Sequence, residues 1–172
     1  MSEKNTKKEV IVATSGGFDP LHVGHIRLLQ DAKALGDKLV VIVNSDAWLK
    51  RKKGFVFMKL KHRMEMIQAI KGVDEVMAWD DGSPTVKGAL RKLKPDIFAK
   101  GGDRASMDKV PEAKVCQEIG CKIVFNVGKG GKVESSSWLL KRFLENSGDV
   151  KSPVTIHIKD NSKPGNKPKG KK

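Results

Sequence analysis

His22 and His25 stand three residues apart in the run 16–25, which reads GGFDPLHVGH. At helical spacing two such imidazoles share one face, and Gly24 between them leaves room for a bulky ligand. The residues just before them, Gly16, Gly17, Phe18 and Asp19, make a glycine-bearing turn. It joins the apolar run 10–13 to a helical pattern carrying Leu21, Leu28, Leu29, Ala32 and Leu35. Such a turn lets the backbone approach a phosphate, and the helix start adds free N–H groups and the positive end of its dipole. Two imidazoles above an anion-binding turn suit charge stabilisation in phosphoryl or nucleotidyl transfer. Taken singly, each feature has a plainer reading: a glycine pair is a turn, and a helical His belongs to the surface or the core.

The rest of the chain must hold these groups in place. A strand is expected over 9–14 and a helix over 21–35, closed by Gly36. Residues 38–44 (KLVVIVN) form a continuous apolar run, the mark of a buried parallel strand. The basic stretch LKRKKGFVFMKLKHR reads as a loop leading into a helix whose inner face is Leu60, Met64, Ile67 and Ile70, ended by Gly72. Then follow a strand over 73–78, a turn over 80–84, a helix over 85–93 and a strand over 96–99. A helix over 111–119, a strand over 122–127 and a loop over 128–134 lead to a last helix from Ser135, with Leu139, Leu140, Phe143 and Leu144 inward. Strand and helix alternate five times, which predicts an α/β, Rossmann-like, doubly wound sheet of five parallel strands. Ligands of such sheets bind beyond the carboxyl ends of the strands, and the glycine-containing segments after strands one, four and five all lie there.

The 172 residues suit one domain spanning 9–147, with a short leader over 1–8 and a basic tail over 148–172. At least 161–172 lacks any apolar residue and is expected to be disordered. Formal net charge is +14, of which the last 22 residues supply +6, and the remainder concentrates over 50–63. Such a balance calls for anionic partners, from small phosphates to nucleic acid or an acidic membrane surface. Cys116 and Cys121 have neither zinc-ligand spacing nor a nearby His, so a reduced, cytoplasmic chain is expected. No apolar run is long enough for a signal peptide or a membrane span.

Further candidates crowd the same sheet end. Lys50, Arg51, Lys52 and Lys53 follow strand two; Lys100-Gly101-Gly102-Asp103 follows strand four; Ser135-Ser136-Ser137 opens the last helix, ordinarily a capping run. In the order strand, Gly-Gly-Phe-Asp-Pro, His-x-Gly-His, helix, the run 16–25 resembles the signature of the His-x-Gly-His nucleotidylyltransferases. That superfamily includes glycerol-3-phosphate cytidylyltransferase and heptose-phosphate adenylyltransferase.

The resemblance covers about 10–144. It implies nucleotide binding by Gly16, Gly17, Phe18, Asp19, Gly24, Lys100, Gly102, Asp103, Lys132, Ser135, Ser136 and Ser137. His22, His25 and a lysine of the 50–53 run, taken as Lys52, are implied as catalytic. Asp19, Lys50, Lys53 and Arg63 are implied as acceptor contacts, His62 as structural. Mg²⁺ would come with the NTP, no side-chain metal ligand is assigned, and a homodimer is implied. Lys-Gly-Gly-Asp resembles the adenylyltransferase segment and favours ATP, while the short build keeps CTP open.

Three departures from the pattern stand out. Gly17 replaces a Thr, Ser or Cys; the loop before Ser135 offers Lys129 and Lys132 where relatives have an arginine; and Glu134 sets a carboxylate beside the phosphates, with Lys132 as the expected partner to hold it away.

The implied reaction moves a nucleoside monophosphate from an NTP to a phosphorylated small molecule such as a sugar or polyol phosphate. A phosphate monoester is largely dianionic at neutral pH and is already a nucleophile, so no nucleophile–base pair is required, and none is recognisable. A non-catalytic nucleic-acid-binding role on the same fold is the alternative. The basic tail supports it and could add weak nucleic-acid or anionic-surface contact; the shortage of aromatics and the histidine pair speak against it.

Overall fold

The computed structural model describes residues 8–101, 110–128 and 134–146. Gly102, Asp103, Lys132, the tail and all of the leader except Lys8 lie outside the described residues. Five strands form one parallel sheet: β1 (Ile11–Gly16), β2 (Lys38–Asn44), β3 (Glu75–Trp79), β4 (Ile97–Gly101) and β5 (Lys122–Val127). Among the described residues six helices accompany them: α1 (Val23–Lys33), α2 (Asp46–Lys53), α3 (Leu60–Gln68), α4 (Lys87–Leu93), α5 (Ala113–Glu118) and α6 (Ser136–Asn146).

The strand order β3-β2-β1-β4-β5 bears out the doubly wound expectation. The chain winds outward from β1 to β3, then crosses back to lay β4 and β5 on the other side of β1, so the order reverses between β1 and β4. Pairing of β1 with β2 runs from Ile11↔Lys38 to Gly16↔Val43, whereas β1 meets β4 at Val12↔Ile97 and Ala13↔Phe98. Beyond that point the Thr14 hydroxyl donates to the Ala99 carbonyl at 3.0 Å. The side chain takes the place of a ladder bond, and the two strands part toward their carboxyl ends. A crevice at such a reversal is where open α/β sheets take ligands.

Alternation along the strands fills two cores. Val12, Leu39, Val41, Val43 and Ala99 pack with Leu29, Ala32 and Ile67 from α1 and α3. Ala13, Ile42 and Phe98 face the other way, onto Ala89 and Leu90 of α4 and Val115 and Cys116 of α5.

Two expectations are corrected. Residues 46–53 are a helix rather than a loop. Ser45 caps it by accepting from the Trp48 N–H at 2.9 Å, Asp46 lies in the first turn and four cations fill the last. Both charge placements complement the helix dipole. Gly54, at φ +87°, closes the helix through its N–H to the Lys50 carbonyl. In α6, Phe143 and Leu144 are 62% and 39% exposed rather than turned inward, and Leu140 is the buried residue. No helix among the described residues is long and apolar enough to cross a membrane.

Candidate active site

A cleft of about 700 Å³ opens over the carboxyl ends of the strands, lined by Gly16, Gly17, Phe18, His22, Gly24 and His25 together with residues after every other strand. Its floor, the β1–α1 turn, is held from below by α2, α3 and the segment between them. The Arg63 guanidinium is fully buried and donates to the carbonyls of Gly17 (2.6 Å), Asn44 (2.8 Å) and Met58 (2.8 Å) and to the Asp46 carboxylate (2.7 Å). Asp19, also fully buried, accepts from the N–H groups of Phe57 (2.9 Å) and Met58 (2.6 Å). Lys53 donates to the Asp19 carbonyl at 2.9 Å, and burial lowers its pKa.

These contacts correct the assignment of Arg63 and Asp19 to ligand binding. Both side chains are spent on positioning the turn and have no surface to offer. The missing side chain at Gly17 is explained in the same way: a Cβ there would lie 2.8 Å from Leu49 Cδ2 and 3.8 Å from Trp48 Cζ3. Residues of α2 occupy the space.

Above the turn the two imidazoles stack, with ring centroids 3.7 Å apart and planes 23° from parallel. His22 is the N-cap of α1 rather than a residue of its first turn. Its backbone N–H donates to His25 Nδ1 at 3.3 Å. The room at Gly24 goes to a protein group: a Cβ there would sit 3.0 Å from the His22 ring. His25 meets the edge of Phe18 at 4.9 Å, so the core uses it as well. Phe18 itself holds a left-handed φ of +51°, which sets its ring 3.2 Å from the Cβ position of Gly16. Burial, then His22 and Lys53, lower the His25 pKa from 6.5 to about 3. At neutral pH it is an uncharged ring whose Nδ1 accepts, which leaves the proton on Nε2 as a donor. Burial also lowers His22, against the pull of Glu134.

Of the basic run, Lys52 and Lys53 line the cleft, while Lys50 is exposed outside it and Arg51 pairs with Asp80 at 2.6 Å. Helical rotation explains the split, because successive positions turn by about 100°. The assignment of Lys50 to the acceptor is therefore corrected. Lys100 lines the cleft with its ammonium 3.5 Å from Glu112, a buried carboxylate the sequence reading missed.

Ser135, Ser136 and Ser137 reach the cleft from the start of α6. Ser135 Oγ accepts from the Trp138 N–H at 3.2 Å, and Ser136 Oγ donates to the Pro20 carbonyl at 2.9 Å. Glu134 is held by Arg142, which lowers the carboxyl's pKa, and accepts from the Ser135 N–H; Lys132, its expected partner, lies outside the described residues. Trp48, Asn44, Thr85 and Arg27 also line the cleft without having been singled out in the sequence.

The family model described as cytidylyltransferase-like matches residues 13–126, which reach from within β1 to within β5. The chain belongs to this family. Among curated proteins it is 42% identical over 137 residues to the bifunctional protein HldE of Streptomyces coelicolor, covering 78% of this chain and 28% of that protein. It is 38% identical over 125 residues to HldE of Pseudomonas syringae pv. syringae, covering 72% and 26%. The chain thus spans about a quarter of the length of the curated relatives it matches. Among solved structures, the lipopolysaccharide core biosynthesis protein of Thermoplasma volcanium shares 30% identity at a TM-score of 0.61, over 72% of this chain and all of that one. Thermotoga maritima TmcAL, solved with alpha-thio ATP, is 12% identical at a TM-score of 0.63 over 80% of this chain and 51% of its own, a likeness of fold.

Proposed function

We propose that the cleft transfers a nucleoside monophosphate from an NTP, ATP in preference to CTP, onto the phosphate of a small sugar or polyol phosphate. An oxygen of the acceptor phosphate bonds to the α-phosphorus, the bond from that phosphorus to the bridging oxygen breaks, and pyrophosphate leaves. The observation that carries this reading is the stacked His22–His25 pair at the start of α1, sharing one cleft with the start of α6.

His25, uncharged and protonated at Nε2, offers a hydrogen bond to a phosphate oxygen without the cost of burying a cation. The free N–H groups of the two helix starts add fixed positive ends, and Lys52 adds a mobile charge. Positioning and charge neutralisation are the work such a displacement requires. Among the described residues no group of three or more His, Cys, Asp or Glu could hold a metal ion. The nearby carboxylates Glu112 and Glu134 are paired with cations and Asp19 is buried. A Mg²⁺ fits here as an ion carried in by the nucleotide, where it would neutralise phosphate charge.

The choice of acceptor rests on the sequence resemblance of Lys-Gly-Gly-Asp and on a structural neighbour named for lipopolysaccharide core biosynthesis. The test is pyrophosphate release from each of the common NTPs against a panel of sugar and polyol phosphates. One NTP–acceptor pair should stand out. Tight NTP binding with no release from any pair would favour the non-catalytic alternative.

A further inference from the structure

The proposed reaction uses neither Cys116 nor Cys121, yet the fold sets these two cysteines, the only ones in the chain, against each other. Helix α5 ends at Glu118, and Gly120 follows with a left-handed φ of +71°. The Gly120 N–H donates to the Gln117 carbonyl at 3.3 Å, and the Cys121 N–H donates to the Cys116 carbonyl at 2.8 Å. This nested pair of bonds is a Schellman close, which turns the residue after the glycine back onto the last turn of the helix. The two places whose side chains meet in such a close usually hold an apolar contact, and here both are cysteines. They are 1% and 7% exposed, in the core shared by the sheet with α4 and α5, and both thiols are free.

A disulfide needs its two Cα atoms about 4.4–6.8 Å apart with the side chains facing. A direct main-chain hydrogen bond between the two residues holds their backbones in that range, as it does for bonded neighbours in a sheet. The sulfurs can therefore join without unwinding α5 or moving β5. The thiols are already hydrogen-bonded to each other, which lowers the pKa of Cys116 and raises that of Cys121; burial raises Cys121 further. Cys116 is thus the thiol that supplies the reactive thiolate.

We propose that Cys116 and Cys121 form a reversible modification site, a dithiol that a peroxide converts to an intrachain disulfide fastening the end of α5 to the start of β5. The Cys116 thiolate attacks one peroxide oxygen and the O–O bond breaks. Hydroxide leaves, takes up the proton Cys116 gave up, and a sulfenic acid remains on Cys116. The Cys121 sulfur then attacks that sulfur, the S–O bond breaks, and a second water departs with the Cys121 proton. Two electrons pass from the thiol pair to the peroxide, and a dithiol reductant reverses the bond by exchange. The fastened helix borders the cleft. The Cys116 N–H donates to the Glu112 carbonyl at 2.9 Å, and the Glu112 carboxylate pairs with Lys100 on the cleft wall. The site stands whatever reaction the cleft performs.

The test treats the native, reduced wild-type chain, Cys116→Ala and Cys121→Ala with hydrogen peroxide. In the wild type both thiols should disappear from a titration in denaturant, with the chain still a monomer. Trypsin cuts after Lys114 and Lys122, so the peptide 115–122 carries both cysteines and should be lighter by two hydrogens. Dithiothreitol should restore both thiols and the original mass. Closing the short loop 116–121 should raise the melting temperature by about 4–8 °C. Neither single variant, checked for folding by circular dichroism, should show that rise, which separates the disulfide from oxidation of the six methionines. Two thiols surviving in the wild type would overturn the proposal. So would oxygen gained on the peptide 115–122 in place of hydrogens lost, or a disulfide joining two chains. A disulfide that fails to raise the melting temperature, or an equal rise in all three chains, would overturn it as well.

Discussion

Replacing Arg63 by methionine separates a structural arginine from a substrate-binding one. The side chain is fully buried, and its four hydrogen bonds join the ends of β1 and β2, the start of α2 and the residues before α3. Methionine keeps much of the stem's volume, so the loss is chiefly polar. Three backbone carbonyls lose a charged donor, at about 1 kcal/mol or more each. The Asp46 carboxylate is 38% exposed and is rescued in part by water, so its share is small. The sum is about 3–5 kcal/mol, a large fraction of a domain's total stability. Urea unfolding followed by far-ultraviolet circular dichroism should show the midpoint falling with little change in slope. Arg63→Lys should recover little, because one ammonium cannot span four acceptors in a plane. An unchanged midpoint, with affinity for a phosphorylated ligand sharply reduced, would refute this reasoning and return Arg63 to the ligand.

The charges around the cleft give three more predictions. Because the His25 pKa is lowered from 6.5 to about 3, the unfolded chain binds a proton over that window that the native chain does not. Its contribution to stability is complete above about pH 6.5 and is lost as pH falls toward 3; the difference in unfolding free energy between wild type and His25→Phe should shrink in acid, and a difference independent of pH would contradict the burial assigned to the ring. Arg142→Ala frees the Glu134 carboxylate at the start of α6 and should weaken ATP binding roughly threefold by like-charge repulsion. Glu134→Gln should leave ATP affinity equal or slightly better, and calorimetry showing a severalfold loss instead would make Glu134 a ligand.

The sheet was legible because its signals are local. KLVVIVN can be little else than a strand buried on both faces, and the glycine turn followed by a helical pattern marks β1–α1. Helix α2 escaped because its one buried residue is Leu49, too little for a periodic stripe. Its remaining signal was punctuation: Ser45-Asp46 at one end and Gly54 at the other. Arg63 and Asp19 were assigned to ligands through the resemblance, yet Arg63 is satisfied by three main-chain carbonyls and the Asp46 carboxylate and Asp19 by two main-chain N–H groups, partners that no side-chain motif displays. Glu112 was invisible for a related reason, since its partner Lys100 lies on another element. The histidine pair was legible as a pair, but its stacking depends on His22 standing just outside the helix as its cap.

The central claim is transfer of the α-phosphoryl group with its nucleoside by direct displacement. It is tested most directly by following label from ATP placed separately at the α- and γ-phosphorus, with the acceptor that the release screen identifies. The account predicts that α-label passes to the acceptor product, that γ-label leaves as pyrophosphate, and that no label stays on the protein. His25→Ala should slow the transfer about 100- to 1000-fold, as loss of one preorganised donor does. γ-Label on the acceptor would make the chain a kinase, and α-label trapped on the protein would make the displacement indirect; either contradicts the account.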